Sequence, residues 1–406
     1  MKIKIHWQWK GSKFFVKLIL ASSLFILLLL RTNSKSHFLK KNGIVFIKSK
    51  DLYPIAKNDF ERLQEQQDQE LWGFAINCSV IYTWVNGSIK SHQDEFNKYR
   101  VKYGAHEKSF QRYRDNEELK HSLRSYAKHM SWHKGQIYLV VPDGHDLTIK
   151  VPNWLNTKHP RVTIINQSTL MDEEDNPTFN SNAIEQNFYR IPNISELFIQ
   201  INDDTFFGSN LVYEDFFTKD RGNNIFMDNI KTDLEKHYNA LWTSRQTTYR
   251  ALINQFNCSL PMFSTRHAPI AFLIMHRLFK KELKETASRK FRNRYDLITP
   301  ILHHYTVMNY KDDGEDSMTE NSEPYRSGKG KLKFNFKNFK QEEMKLTHFF
   351  KPVTDNFESD LNSFKFFSEY KPKFFTLNDD FESESVHYLM KLFLFNMFPE
   401  KSPFEI

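Results

Sequence analysis

Phe198-Ile199-Gln200-Ile201-Asn202-Asp203-Asp204 is the stretch of this chain that decides its fold. An apolar run with strand character ends abruptly in an amide and two adjacent carboxylates. Open α/β sheets place metal and phosphate sites at the carboxyl ends of buried strands, although a solvated turn after a strand gives the same pattern. Asn378-Asp379-Asp380 follows a second apolar stretch, so the same pattern occurs twice in the chain.

Further strand signals lie on both sides of the first stretch. Short runs rich in branched and aromatic residues, bounded by turn residues, predict strands over 80–85, 136–141, 162–165 and 197–201. They are separated by helical patterns and long loops. This order predicts an α/β fold, with a mostly parallel Rossmann-like sheet and helices on both faces.

The helical segments are predicted from periodicity and composition. A helix is expected over 116–132, with Asp115 as its N-cap and Glu118 three residues later, the spacing of a capping box. Residues 233–310 are predicted to form a helical insertion. The polar, charged stretch 311–345 is predicted to be a mobile loop.

Charge is distributed unevenly along the chain. The 57 Lys and Arg against 49 Asp and Glu give a net charge of +8. Residues 1–50 hold eleven basic and no acidic residues, so the remainder carries a net charge of −3. A nucleic-acid-binding protein needs a basic patch on its folded body, so no nucleic-acid partner is expected.

The amino-terminal region carries an apolar stretch, 14–30, that is interrupted by Lys17 and follows a short basic tail, 1–13. Its 17 residues, rising about 1.5 Å each in a helix, would just cross a bilayer core. We therefore expect a single transmembrane signal-anchor, and a cleaved signal peptide is the alternative. Residues 31–70 are then a stem and 71–406 the folded domain.

A secretory lumen is the expected compartment of the folded domain. Five Asn-x-Ser triplets, typical of glycosylation sites, begin at Asn77, Asn86, Asn166, Asn193 and Asn257. Cys78 and Cys258 are the two cysteines, and they could form one disulfide or stay two buried thiols. Two cysteines are too few for a structural zinc cluster of cysteines.

Four motif-bearing blocks follow one another at 78–88, 112–217, 242–310 and 370–406. They carry, in order, Tyr82-Thr83-Trp84-Val85-Asn86-Gly87-Ser88; Arg114-Asp115-Asn116-Glu117-Glu118 with Asn202-Asp203-Asp204; Arg266-His267-Ala268-Pro269 with Phe291-Arg292-Asn293-Arg294-Tyr295-Asp296; and Asn378-Asp379-Asp380 with Phe398-Pro399-Glu400-Lys401-Ser402-Pro403-Phe404-Glu405. With these blocks the chain resembles the Stealth family of hexose-1-phosphate transferases. That family includes bacterial capsule-polymer phosphotransferases and the catalytic subunit of the lysosomal-enzyme N-acetylglucosamine-1-phosphotransferase.

The resemblance implies transfer of a hexose-1-phosphate, first of all N-acetylglucosamine-1-phosphate. The donor would be a nucleotide-diphosphate sugar such as UDP-GlcNAc, the acceptor a hydroxyl of a glycan or polysaccharide, and nucleoside monophosphate would leave. The implied setting is a single-pass, type II Golgi membrane protein with its domain in the lumen, and a homodimer is left open. The alternatives are a metal-dependent glycosyltransferase that moves the sugar itself and a non-catalytic glycan-binding subunit.

Phosphoryl transfer depends on positioning and on offsetting negative charge, so a divalent cation, Mg²⁺ or Mn²⁺, is expected. The predicted metal ligands are Asp203, Asp204, Asn378 and Asp379. The predicted catalytic residues are Asp203, His267 and Arg292. His267 would be the general base and Arg292 would contact the phosphoryl group. The alternatives are an aspartate of the pair as base and a merely surface-exposed Arg292.

The resemblance also suggests which residues bind the substrates. The nucleotide end would be lined by Tyr82, Trp84, Asn86 and Gly87. The sugar hydroxyls would be bound by Asn180, Ser181, Asn182 and Glu185, with further contacts from Arg114, Asn116 and Asn202. Trp84 as a core residue and Asn180 as a helix cap are equally good accounts. The family commonly has an Asp where this chain has Ser79, so nucleotide binding is expected to differ here.

Overall fold

The computed structural model describes residues 59–105, 114–143, 151–227, 240–257, 272–309, 339–343 and 348–406. All described elements except the start of the first helix lie in the compact unit Glu65–Ile406. The predicted tail, the predicted anchor, most of the stem, His267 and Cys258 lie outside the described residues. The domain boundaries stay predictions.

The described residues form ten α-helices and nine strands, with four consecutive helices between β6 and β7. The α-helices are α1 Asp59–Ile76, α2 Lys90–Lys102, α3 Glu118–His129, α4 Ser181–Glu185, α5 Ala240–Phe256, α6 Phe272–Leu278, α7 Lys280–Ser288, α8 Thr299–Asn309, α9 Phe357–Tyr370 and α10 Glu384–Met397. The strands are β1 Ser79–Thr83, β2 Ile137–Val141, β3 Val162–Asn166, β4 Phe198–Asn202, β5 Thr205–Phe206, β6 Asn223–Met227, β7 Phe339–Glu343, β8 His348–Val353 and β9 Phe374–Asp379.

The central sheet contains four parallel strands in the order β3-β2-β1-β4. This order matches the first four strands of a Rossmann fold, in which the strand order reverses between β1 and β4. Thr83 at the end of β1 lies in register with Val140 of β2 and with Asn202 of β4. Because all four strands are parallel, their carboxyl ends meet at one edge of the sheet. The predicted parallel α/β sheet is therefore present.

Helices cover both faces of this sheet, as the alternation of strand residues requires. Val80 and Tyr82 point into a core formed with residues of α1 and α3, whereas Ile81 and Val140 belong to the core formed with α5, α6, α7 and α8. The stretch predicted as a helical insertion thus packs on one face of the sheet. The sequence pattern of fully buried strands follows from this double cover.

A second sheet, β5-β9-β8, continues from the first. Its own aromatic core includes Phe206, Phe367 and Phe375. The last residues of the chain fold back toward the central sheet, where the Asn156 amide donates to the Phe404 carbonyl at 2.7 Å. Arg124 of α3 and Glu405 form a buried bidentate ion pair at 2.8 and 2.7 Å. This ion pair therefore joins the carboxyl-terminal residues to α3.

Two local predictions differ from the structure. The helix expected over 116–132 begins at Glu118, because the Asp115 carboxylate accepts the Glu117 N–H at 2.9 Å in a turn that precedes the helix. The predicted loop 311–345 lies mostly outside the described residues. Its described part, Phe339–Glu343, is a strand that pairs in parallel with β6. The loop prediction is wrong for these five residues.

The predicted transmembrane helix is also corrected. Residues 14–30 lie outside the described residues. Of the helices that the structure describes, none is both long and apolar enough to cross a bilayer. Within the described residues the fold is a parallel α/β sheet with helices, and a membrane-spanning helix is not among them. The single-pass type II placement in the Golgi, which requires such a helix, is not supported by the described helices.

A buried histidine in helix α8, His303, predicts that the fold becomes less stable at acid pH. His303 is fully buried, neither ring nitrogen has a partner among the described residues, and burial, followed by the neighbouring His304, lowers its pKa well below 6.5. As pH falls, His303 takes up a proton in the unfolded chain before it does so in the folded chain, which favours unfolding. The contribution of neutral His303 to the free energy of unfolding is therefore present above about pH 6.5 and is lost below it. For one histidine the loss between pH 7.5 and pH 5.5 is about 1.4 kcal/mol.

Urea unfolding of wild type and His303→Leu at both pH values tests this. Leucine takes no proton and leaves no ring nitrogen buried without a partner. We expect the variant to lose about 1.4 kcal/mol less than wild type over this pH interval. An equal loss in the two proteins would show that His303 does not contribute.

Candidate active site at the carboxyl edge of the central sheet

The two Asn-Asp-Asp stretches meet in space. Asn202 ends β4, and Asp203 and Asp204 form the turn into β5. Strand β5 pairs antiparallel with β9, and the Leu377 N–H donates to the Asp204 carbonyl at 3.0 Å. The second stretch begins at the next residue, Asn378. The sheet topology therefore brings together two acidic tips that are far apart in sequence.

Helix α3 holds the first tip from the side. The Ser122 hydroxyl donates to the Thr205 carbonyl at 2.5 Å and lies 3.3 Å from the Tyr82 hydroxyl. The Phe207 N–H donates to the Ser125 hydroxyl at 3.1 Å. Glu118, Ser122 and Ser125 are spaced by four and three residues, so they share one face of α3. That face is the one that adjoins the tip.

The second tip is held by an arginine from the segment before α3. Arg114 donates from Nε and Nη2 to the two carboxylate oxygens of Asp379, at 2.8 and 2.5 Å. Its Nη2 also donates to the Phe381 carbonyl at 2.8 Å, and its guanidinium lies 4.4 Å from the Phe381 ring centroid. The Asn116 amide adds a third bond to Asp379 at 2.9 Å. Asp379 is thus fixed on both oxygens.

Negative charge accumulates between the tips. Burial, then the carboxylates of Asp204, Glu118 and Asp115, raise the pKa of Asp203 well above its usual value. Burial raises the pKa of the Glu118 carboxyl to about 8, against the opposing effect of its bonds to Asn116. Burial also raises the pKa of Asp115. These carboxylates therefore favour the binding of a proton or a cation.

A second group of predicted residues assembles around α4. Arg292 donates from Nε and Nη2 to the Ser181 hydroxyl at 3.1 and 2.7 Å. The Asn180 carboxamide accepts the Asn182 N–H and donates to the Asp296 carboxylate at 2.9 Å. Asn180 is thus a buried cap, and Ser181 and Arg292 are its more exposed neighbours. Glu185, another predicted sugar-binding residue, is buried at the end of α4.

Aromatic packing connects this second group to the sheet edge. Phe96 of α2 contacts Phe179 and Phe291 edge-on, at ring-centroid distances of 5.1 and 5.3 Å. These two rings precede Asn180 and Arg292 in the chain. Helix α2 follows the carboxyl end of β1 in the chain, so these rings pack the second group against the segment that leaves that edge. His267, the third predicted catalytic residue, lies outside the described residues.

The residues predicted for the nucleotide end have structural contacts here. Tyr82 and Trp84 are buried in the core beneath α3. The Asn86 carboxamide accepts the Ser88 N–H at 2.9 Å, and the Gly87 carbonyl accepts a bond from Gln93 at 2.8 Å. These contacts close the turn into α2. For Trp84 the structure favours the core account over the binding account.

Ser79, where the family commonly has an Asp, lies at the opposite end of β1. Its backbone N–H donates to the Ser195 hydroxyl at 2.6 Å, and the Ser195 N–H donates to the Ser79 hydroxyl at 3.0 Å. These bonds join the amino ends of β1 and β4. The expectation that this position alters nucleotide binding therefore has no support from its location.

The predicted metal ligands fit a cation only in part. No group of three or more His, Cys, Asp or Glu side chains in the described ranges is arranged to hold a metal ion. Asp203 and Asp204 offer two carboxylates, and Mg²⁺ is commonly held by one or two carboxylates together with substrate phosphates. Asn378 is exposed, and both Asp379 oxygens already accept bonds from Arg114 and Asn116. The first tip thus fits a cation better than the second.

Sequence reasoning missed the contribution of α3. Glu118 was expected as part of a cap and of the second motif block, and no role was predicted for Ser122 or Ser125. The signal was the presence of three polar residues on one face of a helix that otherwise faces the core through Leu119, Leu123 and Tyr126. Polar groups in such a position need partners, which here are the first tip and Asn116.

Comparisons with known proteins agree on one family. Residues 112–225 match the model described as Stealth protein CR2, conserved region 2. A capsular polysaccharide phosphotransferase of Haemophilus influenzae is 28% identical over 248 residues, covering 57% of this chain and 65% of that protein. One of Actinobacillus pleuropneumoniae is 30% identical over 234 residues, covering 54% and 62%. The human N-acetylglucosamine-1-phosphotransferase subunits alpha/beta are 33% identical over 174 residues, covering 42% and 12%. The chain spans less than two thirds of the length of each.

The contacts of Asp379 predict a stability effect that separates a structural role from a metal-ligand role. Asp379→Asn keeps the shape but removes the charge that faces Arg114, and hydrogen bonds to charged groups contribute about 1.5–3 kcal/mol. We expect a loss of this size in urea unfolding, the same with EDTA as with Mg²⁺. Asp380→Asn, at the exposed neighbouring position, is the matched control and should change stability by less than about 0.5 kcal/mol. A loss seen only with Mg²⁺ would mark Asp379 as a metal ligand.

Proposed function

The chain belongs to the Stealth family, and from that premise we propose that it is a sugar-phosphate transferase. It would transfer a hexose-1-phosphate from a nucleotide-diphosphate sugar to a hydroxyl of a glycan or polysaccharide. The named relatives are phosphotransferases of capsular polysaccharide and of N-acetylglucosamine-1-phosphate. The matched region, 112–225, includes the first acidic tip and α4.

One observation carries the proposal most directly, namely the meeting of the two acidic tips at the carboxyl edge of a parallel sheet. Ligands of open α/β sheets bind outside this edge. Burial and the neighbouring carboxylates also raise the pKa of Asp203, so the first tip favours binding of a positively charged group. A pyrophosphate that arrives with a divalent cation fits such a surplus of negative charge.

The reaction that we propose is a displacement at phosphorus. An acceptor hydroxyl attacks the β-phosphorus of the donor, a new P–O bond forms, and the bond to the nucleoside monophosphate breaks. The proton of the hydroxyl passes to a base, for which His267 and an aspartate of the first tip are the candidates. When bound, Mg²⁺ or Mn²⁺ would supply positive charge to the pyrophosphate oxygens, with Asp203 and Asp204 holding it.

Arg292 is proposed to contact the transferring phosphoryl group. Its guanidinium remains partly exposed while Ser181 fixes two of its nitrogens. Arginine has five N–H donors in a planar fork that matches phosphate oxygens. A fork that is already oriented loses less entropy when the phosphate binds. N-acetylglucosamine-1-phosphate from UDP-GlcNAc is the first donor to test, since the human relative bears that name.

The proposed transfer predicts a specific leaving group. Purified full-length chain, a panel of nucleotide-diphosphate sugars, Mg²⁺ and a glycan acceptor should release nucleoside monophosphate and place a β-phosphate radiolabel in the glycan. Release of diphosphate with no label in the glycan would instead indicate a glycosyltransferase. Binding of glycan without any release would indicate a non-catalytic subunit. Addition of EDTA should stop the transfer, and excess Mg²⁺ or Mn²⁺ should restore it.

Arg292→Lys is predicted to lower kcat by about 10²-fold, the usual effect of removing one donor that stabilises transition-state charge. Lysine keeps the charge but cannot make the bidentate contact. Arg294→Lys, two residues away and exposed, is the control and should transfer at the wild-type rate. Equal rates for the two variants would contradict a phosphoryl-binding role for Arg292.

A further inference from the structure

Glu118 lies between the two acidic tips and contacts the residue that joins them. Its side chain is 7% exposed. One carboxylate oxygen accepts the Asn116 backbone N–H at 2.6 Å and the other accepts the Asn116 side-chain amide at 2.6 Å. Both oxygens are therefore used to hold a single residue, Asn116, in one orientation.

The Asn116 side-chain amide is oriented by the two carboxylates that accept its N–H bonds. Its side-chain nitrogen donates to Glu118 and to Asp379, at 2.6 and 2.9 Å. Its side-chain oxygen is buried and has no partner among the described residues. A rotated amide would place that oxygen against two carboxylate oxygens, which is unfavourable. The two carboxylates thus set the amide orientation at the expense of one buried acceptor.

Asn116 in turn fixes the second tip together with Arg114. Arg114 and Asn116 both bond the same oxygen of Asp379, at 2.8 and 2.9 Å. Glu118 also lies close enough to Asp203 for its charge to act on that carboxyl. Hydrogen bonds therefore run from Glu118 through Asn116 to Asp379, while the charge of Glu118 acts on Asp203 of the first tip.

We propose that Glu118 is a positioning residue of the transfer reaction. It fixes the Asn116 amide, and this amide keeps the Asp379 tip in register with the Asp203 tip. This inference rests on the proposed function and adds a residue to it. Glu118 acts through Asn116 and is not proposed to contact substrate. Groups that orient the residues of a site typically change activity by about 10- to 100-fold when they are altered.

The test is a double-mutant cycle on the full chain. Glu118→Gln puts an amide N–H against one of the two Asn116 donors, and Asn116→Ser removes the side-chain amide. We expect each to lower kcat by about 10- to 100-fold with KM for the nucleotide sugar changed by less than about threefold. The double variant should be no slower than the slower single variant, because both changes break the same chain of contacts.

Glu117→Gln is the matched control. Glu117 is the adjacent residue, its side chain is 44% exposed, and its carboxylate lies 3.6 Å from Lys120 on the surface. The kcat of the Glu117→Gln variant should equal that of wild type. Rates are expressed per folded molecule, using circular dichroism at the assay temperature. A role confined to stability would then leave kcat unchanged in every variant.

Each other outcome overturns the inference in a distinguishable way. Wild-type kcat in Glu118→Gln excludes a positioning role. Rate losses that multiply in the double variant exclude action through Asn116. If Glu118→Gln does not fold, Asn116→Ser decides alone, and an unchanged kcat overturns the inference. Absence of transfer by wild type with every donor sugar overturns the proposed function, and the inference with it.

Discussion

Repulsion among crowded carboxylates is the constraint on which the rest of this structure depends. Burial raises the pKa of Asp203 most, and the carboxylates of Asp204, Glu118 and Asp115 raise it further. In a partly desolvated setting such repulsion is much stronger than in water. The fold therefore has to supply compensating groups. Arg114 offsets the charge of Asp379, and the two Asn116 donors satisfy Glu118.

These compensating groups come from distant parts of the chain, which makes the site a product of global folding. Arg114 and Asp379 are separated by 265 positions, and Arg124 and Glu405 by 281. The two ion pairs lie at opposite parts of the same segment, before and within α3. Helix α3 is consequently tied to the carboxyl-terminal region at both places. A change that loosens the last residues of the chain would act on the acidic tips through this helix.

Much of the fold could be predicted from local sequence because its signals are local. Each predicted strand of the central sheet is present, with ends shifted by at most two residues. An apolar run that stops at Asn202 or at Asn378 also marks the last one or two residues of a strand. The parallel arrangement follows from strands that are buried on both faces. Helix starts were less certain, since Asp115 closes a turn before α3 and does not cap it directly.

The partners of side chains could not be predicted in the same way. Tyr82 and Trp84 belong to a motif that suggests binding, yet both are buried in the core beneath α3. Asn180 could have bonded a sugar hydroxyl, but Asp296, 116 positions later, accepts its amide. Both outcomes depend on long-range packing, for which a single sequence offers no local signal. The membrane helix was inferred from hydropathy alone, and no described helix provides one.

The way in which the tips are built favours rigidity over adaptability. Both tips extend directly from strands, and the backbone bond from Leu377 to Asp204 joins them before any substrate binds. A site held by strands keeps its charges in place without reorganisation during the reaction, which is the main source of electrostatic catalysis. The second group differs, since Arg292 reaches its partner Ser181 from a loop between α7 and α8. We infer that the strand-borne tips hold charge, and that the Arg292 guanidinium, although it comes from a loop, is oriented in advance by its two bonds to Ser181.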